Sequence, residues 1–181
     1  IEDPGSAVTN IDLSYIHDNL RGSRLQAQAY YYDIGAREFP FDGRNGGFLN
    51  SISYGEFESQ AYGGRLQIET PITQSLELLW GADYRNERNE RVLDILDPVA
   101  FDQGVGRPTG NQRTQDPPYF LDQIGLFAQL QWELSPSFTL SSGIRQEFLG
   151  LNVADYTTLN GDNIEGGAVD FDATVFNIGT V

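Results

Sequence analysis

Residues 123–148 read Gln-Ile-Gly-Leu-Phe-Ala-Gln-Leu-Gln-Trp-Glu-Leu-Ser-Pro-Ser-Phe-Thr-Leu-Ser-Ser-Gly-Ile-Arg-Gln-Glu-Phe, and their pattern decides the fold. Large apolar side chains such as Leu126, Leu130 and Trp132 recur at every second position, with mostly polar or small residues between them. A helix needs apolar residues three and four positions apart, whereas a period of two is typical of a strand with two unlike faces. Because Ser135-Pro136-Ser137 interrupts the alternation with turn-forming residues, the stretch predicts a β-hairpin.

The same alternation occurs along most of the chain. It predicts an all-β fold, an antiparallel meander of about seven strands. Several of these strands reach about ten residues or more, close to the 9–11 residues that a tilted strand needs to cross a bilayer. The predicted strands cover 10–16, 24–32, 62–69, 76–88, 123–133, 138–148 and 173–181.

Short and long connections alternate strictly. The short connections are 18–23, 70–75 and 134–137, and the long ones are about 33–53, 89–120 and 149–172. In a meander this places all short turns at one end of the sheet and all long loops at the other, as in transmembrane β-barrels. Val92–Ile95 predicts a short helix within the second long connection.

Two architectures fit the alternation. The hydrophilic face can be the outer surface of a soluble β-sandwich or the lumen of a wide barrel, and periodicity alone does not separate them. Aromatic residues near strand ends on the apolar face, such as Tyr31, Tyr84 and Trp132, favour the barrel because interfacial girdles have this form.

Composition excludes several function classes. The 181 residues include 26 acidic and 11 basic side chains, all of the latter arginine, for a net charge of −15. Because a protein needs a basic surface to bind nucleic acid, this excess of acidic side chains argues against a nucleic-acid partner. The absence of cysteine excludes disulfides, thiol nucleophiles and zinc–thiolate sites. Because the chain opens Ile1-Glu2-Asp3 and contains no Met, we expect a processed product or an internal segment.

Two segments carry a family resemblance. The hairpin from Gly125 to Arg145 resembles one that recurs in TonB-dependent outer-membrane receptors, although Gln146 stands where that family usually has an aromatic residue. Trp80-Gly81-Ala82-Asp83-Tyr84 is similar to the Gly-X-Asp-Tyr strand of the same family. The resemblance implies a partial 22-stranded transmembrane β-barrel in the outer membrane, with short periplasmic turns and long extracellular loops. It also implies that residues 1–181 lack the N-terminal plug domain and the terminal strands.

A finer resemblance is to receptors for citrate-hydroxamate siderophores of the aerobactin type. It rests on Tyr30-Tyr31-Tyr32-Asp33, on Arg37-Glu38-Phe39-Pro40-Phe41, on Pro118-Tyr119 and on the late Gly166-Gly167. It implies uptake of a ferric siderophore, energised by the TonB complex through the plug, in contact with outer-membrane lipid and lipopolysaccharide. Neither catalysis nor a resident cofactor is expected, since ferric iron would enter only as the siderophore complex.

Arginine and aromatic residues near the long-loop end form the candidate ligand site. A ferric citrate-hydroxamate complex is anionic, and guanidinium groups bind carboxylates through paired hydrogen bonds. Aromatic side chains would supply the walls of the site. The predicted ligand-binding residues are Tyr30, Tyr32, Arg37, Phe39, Phe41, Arg44, Arg85, Arg88, Arg91 and Tyr119.

Other candidate sites are weaker. His17 is the single histidine, so it builds neither a histidine metal site nor an identifiable triad. We interpret the acidic pair Glu56 and Glu58 as ordinary residues of a polar surface. No catalytic or metal-binding residue is predicted. Two alternative functions remain: a passive porin-like barrel, and a soluble β-sandwich module that binds carbohydrate.

Overall fold

The computed structural model describes residues 4–46, 49–114 and 116–180. Val181, the last residue of the predicted strand 173–181, lies outside the described residues. The elements in chain order are β1 (Gly5–Leu20), β2 (Ser23–Arg37), β3 (Phe41–Asp42), β4 (Ile52–Pro71), β5 (Leu76–Leu96), α1 (Pro98–Asp102), β6 (Pro108–Arg113), β7 (Tyr119–Ser135), β8 (Phe138–Val153), β9 (Tyr156–Thr157), β10 (Asn163–Ile164) and β11 (Gly167–Thr180).

One large antiparallel sheet contains all the long strands. Its order is β1-β2-β4-β5-β7-β8-β11, so each long strand pairs with the next long strand along the chain. The short strands β3 and β6 add to β4 and β5, and β9 pairs with β10. The predicted meander is therefore confirmed. Within the described ranges no second large sheet packs on this one, so these residues do not form a β-sandwich.

The turns and loops separate to opposite ends of the sheet. Arg21 (φ 54°) and Gly22 (φ 90°) close the first hairpin in the left-handed conformation that matches the twist of the flanking strands. The other short turns join β4 to β5 and β7 to β8. We call this edge the turn end and the opposite edge the loop end. The predicted alternation of short and long connections is confirmed.

Strands extend further into the loop end than predicted. β2 continues to Arg37 and β5 to Leu96, so the predicted loops 33–53 and 89–120 shrink to 38–51 and 97–118. The predicted helix at Val92–Ile95 is wrong, because this segment continues β5. The helix follows it at Pro98–Asp102, where the side chain of Asp97 accepts hydrogen bonds from the amides of Val99 and Ala100.

Strand register gives the sheet two unlike faces. Ile68 pairs with Trp80, Trp80 with Ala128 and Ala128 with Ile144, so apolar side chains meet across neighbouring strands. We call this the outer face and the opposite one the inner face. Exposed apolar area of this extent is typical of a surface that meets lipid or a partner. Exposed members of the outer face include Leu13, Tyr15, Leu66, Trp80, Tyr84, Ile124, Leu126, Trp132, Ile144, Phe148, Phe176 and Ile178.

The apolar part of the outer face forms a band of limited height. Tyr84 pairs with Ile124 near its upper edge, and Trp132 lies eight residues further along β7 at the turn end. Eight residues span ~26 Å of strand, or ~20 Å along the membrane normal at a barrel tilt, close to the apolar band of about 25 Å in membrane barrels. Above Tyr84 the outer face becomes polar, with Asn86, Arg88 and Glu90 on β5.

The buried apolar cluster lies at the loop end. Ile52 and Leu96 are each 1% exposed, and they pack with Tyr54 at the start of β4, with Phe101 of α1 against them. This cluster fixes the loop that contains α1 on the end of the sheet. No helix in the described part of the chain is long and apolar enough to cross a membrane.

Candidate ligand-binding site

Five of the predicted ligand-binding residues share the inner face toward the loop end. Because side chains alternate between faces, even positions of β2 and odd positions of β5 and β7 point to the inner face in the observed register. The two arginines of this group, both on β5, are substantially exposed. Tyr119 lies on the adjacent strand β7, whereas β4 separates the two tyrosines of β2 from β5. These five residues are Tyr30, Tyr32, Arg85, Arg91 and Tyr119.

Acidic neighbours position these inner-face groups. Glu87 accepts a hydrogen bond from the Tyr119 hydroxyl at 2.6 Å and forms an ion pair with Arg85. A guanidinium nitrogen of Arg91 lies 3.6 Å from the carboxylate of Glu38. The side chain of Arg85 is about half exposed, so part of its guanidinium stays accessible to solvent beside this ion pair.

Tyr30 reaches over its cross-strand partner, which is a glycine. Tyr30 pairs with Gly63 of β4, and a Cβ at Gly63 would lie 2.6 Å from the Tyr30 hydroxyl oxygen. The glycine therefore permits the aromatic ring to cover the backbone of β4. This places a wide aromatic surface on the inner face near Tyr32.

Arg37 and Arg88 lie on the outer face, opposite the other strand arginines of the predicted site. Arg37 donates from Nε to Glu56 at 2.6 Å, and its guanidinium lies over the ring of Tyr54. Arg88 donates to Glu90 at 2.9 Å, with its guanidinium carbon 5.4 Å from the centroid of Phe120. The ten predicted residues therefore do not form one surface.

The remaining three predicted residues belong to the first long loop. Phe39 is 79% exposed and Phe41 is 61% exposed. Arg44 bridges two loops, because its guanidinium forms paired hydrogen bonds of 3.0 and 2.7 Å with Asp42 and of 2.9 and 2.8 Å with Asp102 of α1. We call the Arg44, Asp42 and Asp102 group the loop clamp.

Charge pairing in the loop clamp shifts its acid–base equilibria. The hydrogen bonds from Arg44 hold the pKa of the Asp42 carboxyl below its ordinary value of 3.8, and they lower the pKa of Asp102 in the same way. The two carboxylates raise the pKa of Arg44 further above its ordinary value. Four N–H donors of Arg44 already bond Asp42 and Asp102. A structural role, in which Arg44 holds the two loops together, therefore accounts for this residue.

Below the predicted residues, a second inner-face network was missed by the sequence reasoning. Arg145 forms paired hydrogen bonds of 2.8 Å with Asp83 and also pairs with Glu147. The ring of Phe127 lies 4.7 Å from the guanidinium carbon of Arg65 and 5.8 Å from that of Arg145. The alternation of polar and apolar residues predicted that Asp83 lies on the polar face. Its ion pair with Arg145, two strands away, could be recognised only from the strand register in the structure.

The inner face offers no resident metal site in the described ranges, where no group of three or more His, Asp or Glu side chains is arranged to hold an ion. The loop end of the inner face presents two half-exposed guanidiniums, tyrosine hydroxyls and aromatic rings. Such groups suit an anion with a partly apolar body.

Comparison with protein families gives a match over nearly the whole chain. A family model described as TonB-dependent receptor-like β-barrel matches residues 3–181. The ferric aerobactin receptor of Klebsiella pneumoniae is 25% identical over 97% of this chain and 26% of the receptor. The rhizobactin receptor of Rhizobium meliloti (strain 1021) is 23% identical over 97% of this chain and 26% of the receptor. The chain therefore spans about a quarter of the length of these curated relatives.

Solved structures share the fold at low sequence identity. The copper transporter OprC superposes with a TM-score of 0.73 at 14% identity, over 98% of this chain and 28% of that protein. The ferric-catecholate import receptor Fiu of Escherichia coli K12, in its open form, gives a TM-score of 0.59 at 11% identity, over 97% of this chain and 33% of that protein. These likenesses concern the architecture of the barrel wall.

Proposed function

This chain belongs to the TonB-dependent receptor-like β-barrel family, and we propose that it forms part of the wall of an outer-membrane receptor for ferric siderophores. The family resemblance carried by the hairpin at residues 125–145 is confirmed by the family match. A passive porin-like barrel would share the strands, but the family match favours a receptor.

The proposed orientation follows from the two faces. The apolar band of the outer face, from Tyr84 to Trp132, would meet outer-membrane lipid, and the inner face would line the lumen. The short turns would then lie in the periplasm and the long loops outside the cell. Lipopolysaccharide would surround the polar upper part of the outer face.

The proposed ligand is a ferric siderophore of the citrate-hydroxamate type. The observation that carries this proposal is the gathering of Tyr30, Tyr32, Arg85, Arg91 and Tyr119 on the inner face toward the loop end. Guanidinium groups in a partly enclosed space bind the carboxylates of such a complex more strongly than they would in open water. The ligand classes named for the ferric aerobactin and rhizobactin receptors support the same choice.

Transport is proposed to require partners that act on the complete receptor. By resemblance, the TonB complex would act through a plug domain inside the barrel and would couple uptake to the proton-motive force. The chain would carry out binding and passage without covalent chemistry, and iron would be cargo held by the siderophore.

Uptake of radioactive iron tests this function in cells of the native source. A strain lacking the complete receptor gene should lose accumulation of ⁵⁵Fe supplied as ferric aerobactin, and the intact gene should restore it. A protonophore should abolish uptake without abolishing binding at the cell surface. Unchanged uptake in the deletion strain would contradict the siderophore proposal, and uptake that ignores the protonophore would contradict energised transport.

A further inference from the structure

A small apolar pocket of about 190 Å³ lies on the inner face at the loop end, above Arg91. Leu93 lines it and follows Arg91 by two residues on the same face of β5, which is ~7 Å along the strand. Complete small-molecule sites usually exceed about 300 Å³, so this pocket has room for one arm of a ligand. Its lining residues include Glu38, Phe39, Phe41, Ser51, Ser53 and Leu93.

The strand register forms the pocket. Phe41 of β3 pairs with Ser53 of β4, and Gly55 of β4 pairs with Leu93 of β5. All four positions therefore lie on the inner face, as Arg91 does. Because Ser53 has a small side chain and Gly55 has none, the space between Phe41 and Leu93 stays open.

The residues around the pocket leave apolar surface and a hydroxyl group uncovered by the chain itself. Phe39 and Phe41 are largely exposed and stand beside the same opening. Adjacent exposed rings of this kind are typical of a surface that a ligand or partner covers. The hydroxyl oxygen of Ser51 is buried and has no hydrogen-bond partner among the described residues. An unpaired buried hydroxyl is costly unless a bound group supplies its partner.

The charge at the rim of the pocket restricts its occupant. Among the described residues that line the pocket, Glu38 alone is charged. Its carboxylate lies over Gly55, where a Cβ would be 2.6 Å away, and 3.6 Å from a guanidinium nitrogen of Arg91. Glu38 therefore repels an anionic group from the pocket, whereas Arg91 attracts one below it. The pocket suits an uncharged, mainly hydrocarbon group attached to an anionic body.

We propose that this pocket takes an acyl arm of the ligand, so that the ligand is an amphiphilic ferric siderophore. Its anionic iron-binding centre would lie against Arg85 and Arg91, and its short hydrocarbon chain would pack between Phe41 and Leu93. The hydroxyl of Ser51 would donate a hydrogen bond to a carbonyl oxygen of the arm. This inference rests on the function proposed above and adds a preference for one kind of siderophore.

A paired titration of the complete receptor tests the inference. The probes are two synthetic ferric citrate-hydroxamate complexes of equal charge, with acetyl groups on the hydroxamates of one and hexanoyl groups on those of the other. We expect the wild-type receptor to bind the hexanoyl complex about tenfold more tightly, a factor that burial of about two methylene groups provides. The measured quantity is the ratio of the two Kd values in the same detergent.

Variants assign this ratio to the pocket, because partitioning of the chain into detergent is common to all of them. Phe41→Ala removes one wall and Ser51→Leu fills the space, so each should bring the two Kd values close together. Val99→Ala removes an exposed apolar side chain of α1 outside the pocket and should keep the wild-type ratio. The heat-induced shift of the barrel on a gel shows that each variant is folded.

The outcomes separate this inference from the proposed function. Equal Kd values for the two complexes in the wild-type receptor would overturn the acyl-arm site and leave the siderophore function standing. A ratio that persists in both Phe41→Ala and Ser51→Leu would also overturn it. Binding of neither complex would contradict the siderophore function, and the inference would fail with it.

Discussion

Arg145 and Asp83 form paired hydrogen bonds of 2.8 Å although β7 lies between their strands. Arg145 pairs with Phe127, and Asp83 pairs with Gly125 of the same intervening strand. A Cβ at Gly125 would overlap the guanidinium and lie 2.7 Å from the Asp83 carboxylate. The missing side chain therefore lets an ion pair tie three strands together across the inner face.

Substitution of Gly125 should break this tie. In the complete receptor, Gly125→Ala should displace the Arg145 side chain and leave Asp83 partly buried without its partner. We expect a loss of about 1–3 kcal/mol of stability, seen as a lower temperature for the heat-induced shift of the folded barrel on a gel. Gly35→Ala is the matched control, because a Cβ there meets nothing within 4 Å. Equal shift temperatures for the two variants would refute the role of Gly125.

Acid should release the loop clamp. Asp42 and Asp102 have pKa values below the unfolded value of 3.8, so their ionised forms stabilise the clamp above that pH. This contribution is lost as the pH falls below 3.8 through the lower folded values. A nitroxide attached at Asn45→Cys should therefore gain mobility in the electron paramagnetic resonance spectrum as the pH falls below 3.8.

Variants assign that transition to the clamp. Asp102→Asn should make the Asn45 label mobile already at pH 7, because the paired hydrogen bonds to Arg44 need both carboxylate oxygens. Arg107→Ala, which removes an exposed guanidinium from the loop of Asp102, should leave the label immobile. A label that keeps the same mobility in Asp102→Asn would show that other contacts hold the loop.

The two faces of the sheet should differ in their contact with lipid. Spin labels at Leu126 and Ile144 on the outer face should be accessible to oxygen dissolved in the bilayer. Labels at Gln129 and Ser141 on the inner face should instead respond to a water-soluble nickel chelate, because alternate side chains point to opposite faces. Accessibility that fails to alternate between these pairs in the reconstituted receptor would contradict the assigned orientation.

The fold was largely predictable where the two faces differ in polarity. Within the apolar band, the polarity of a residue such as Leu126 or Gln129 indicates which face it occupies. The strands in this band were therefore predicted from the sequence. Above Tyr84 both faces carry polar residues, as at Asn86 and Glu87. Because polar and apolar residues no longer alternate there, the predicted strands ended several residues too early. Asp97-Pro98 did contain the signals for the start of α1, which the prediction placed too early.

The candidate site was only partly predictable. Arg88 lies within the predicted strand 76–88, and its even number already placed it on the same face as Trp80 and Tyr84. Arg37 was assigned to a loop, so its face was not readable until β2 was seen to reach it. The clamp between Arg44 and Asp102 joins residues 58 positions apart, which depends on loop conformations that no local pattern encodes.

A titration of the complete receptor with ferric aerobactin, followed by quenching of intrinsic fluorescence, tests the central claim most directly. We predict that Arg85→Ala on the inner face weakens binding by about 1–3 kcal/mol, or roughly 5- to 150-fold in Kd, through loss of a charge-assisted hydrogen bond. Arg88→Ala, three residues along the same strand but on the outer face, should bind with the wild-type Kd. Equal effects of the two substitutions, or none from Arg85→Ala and Arg91→Ala together, would contradict the inner-face ligand site.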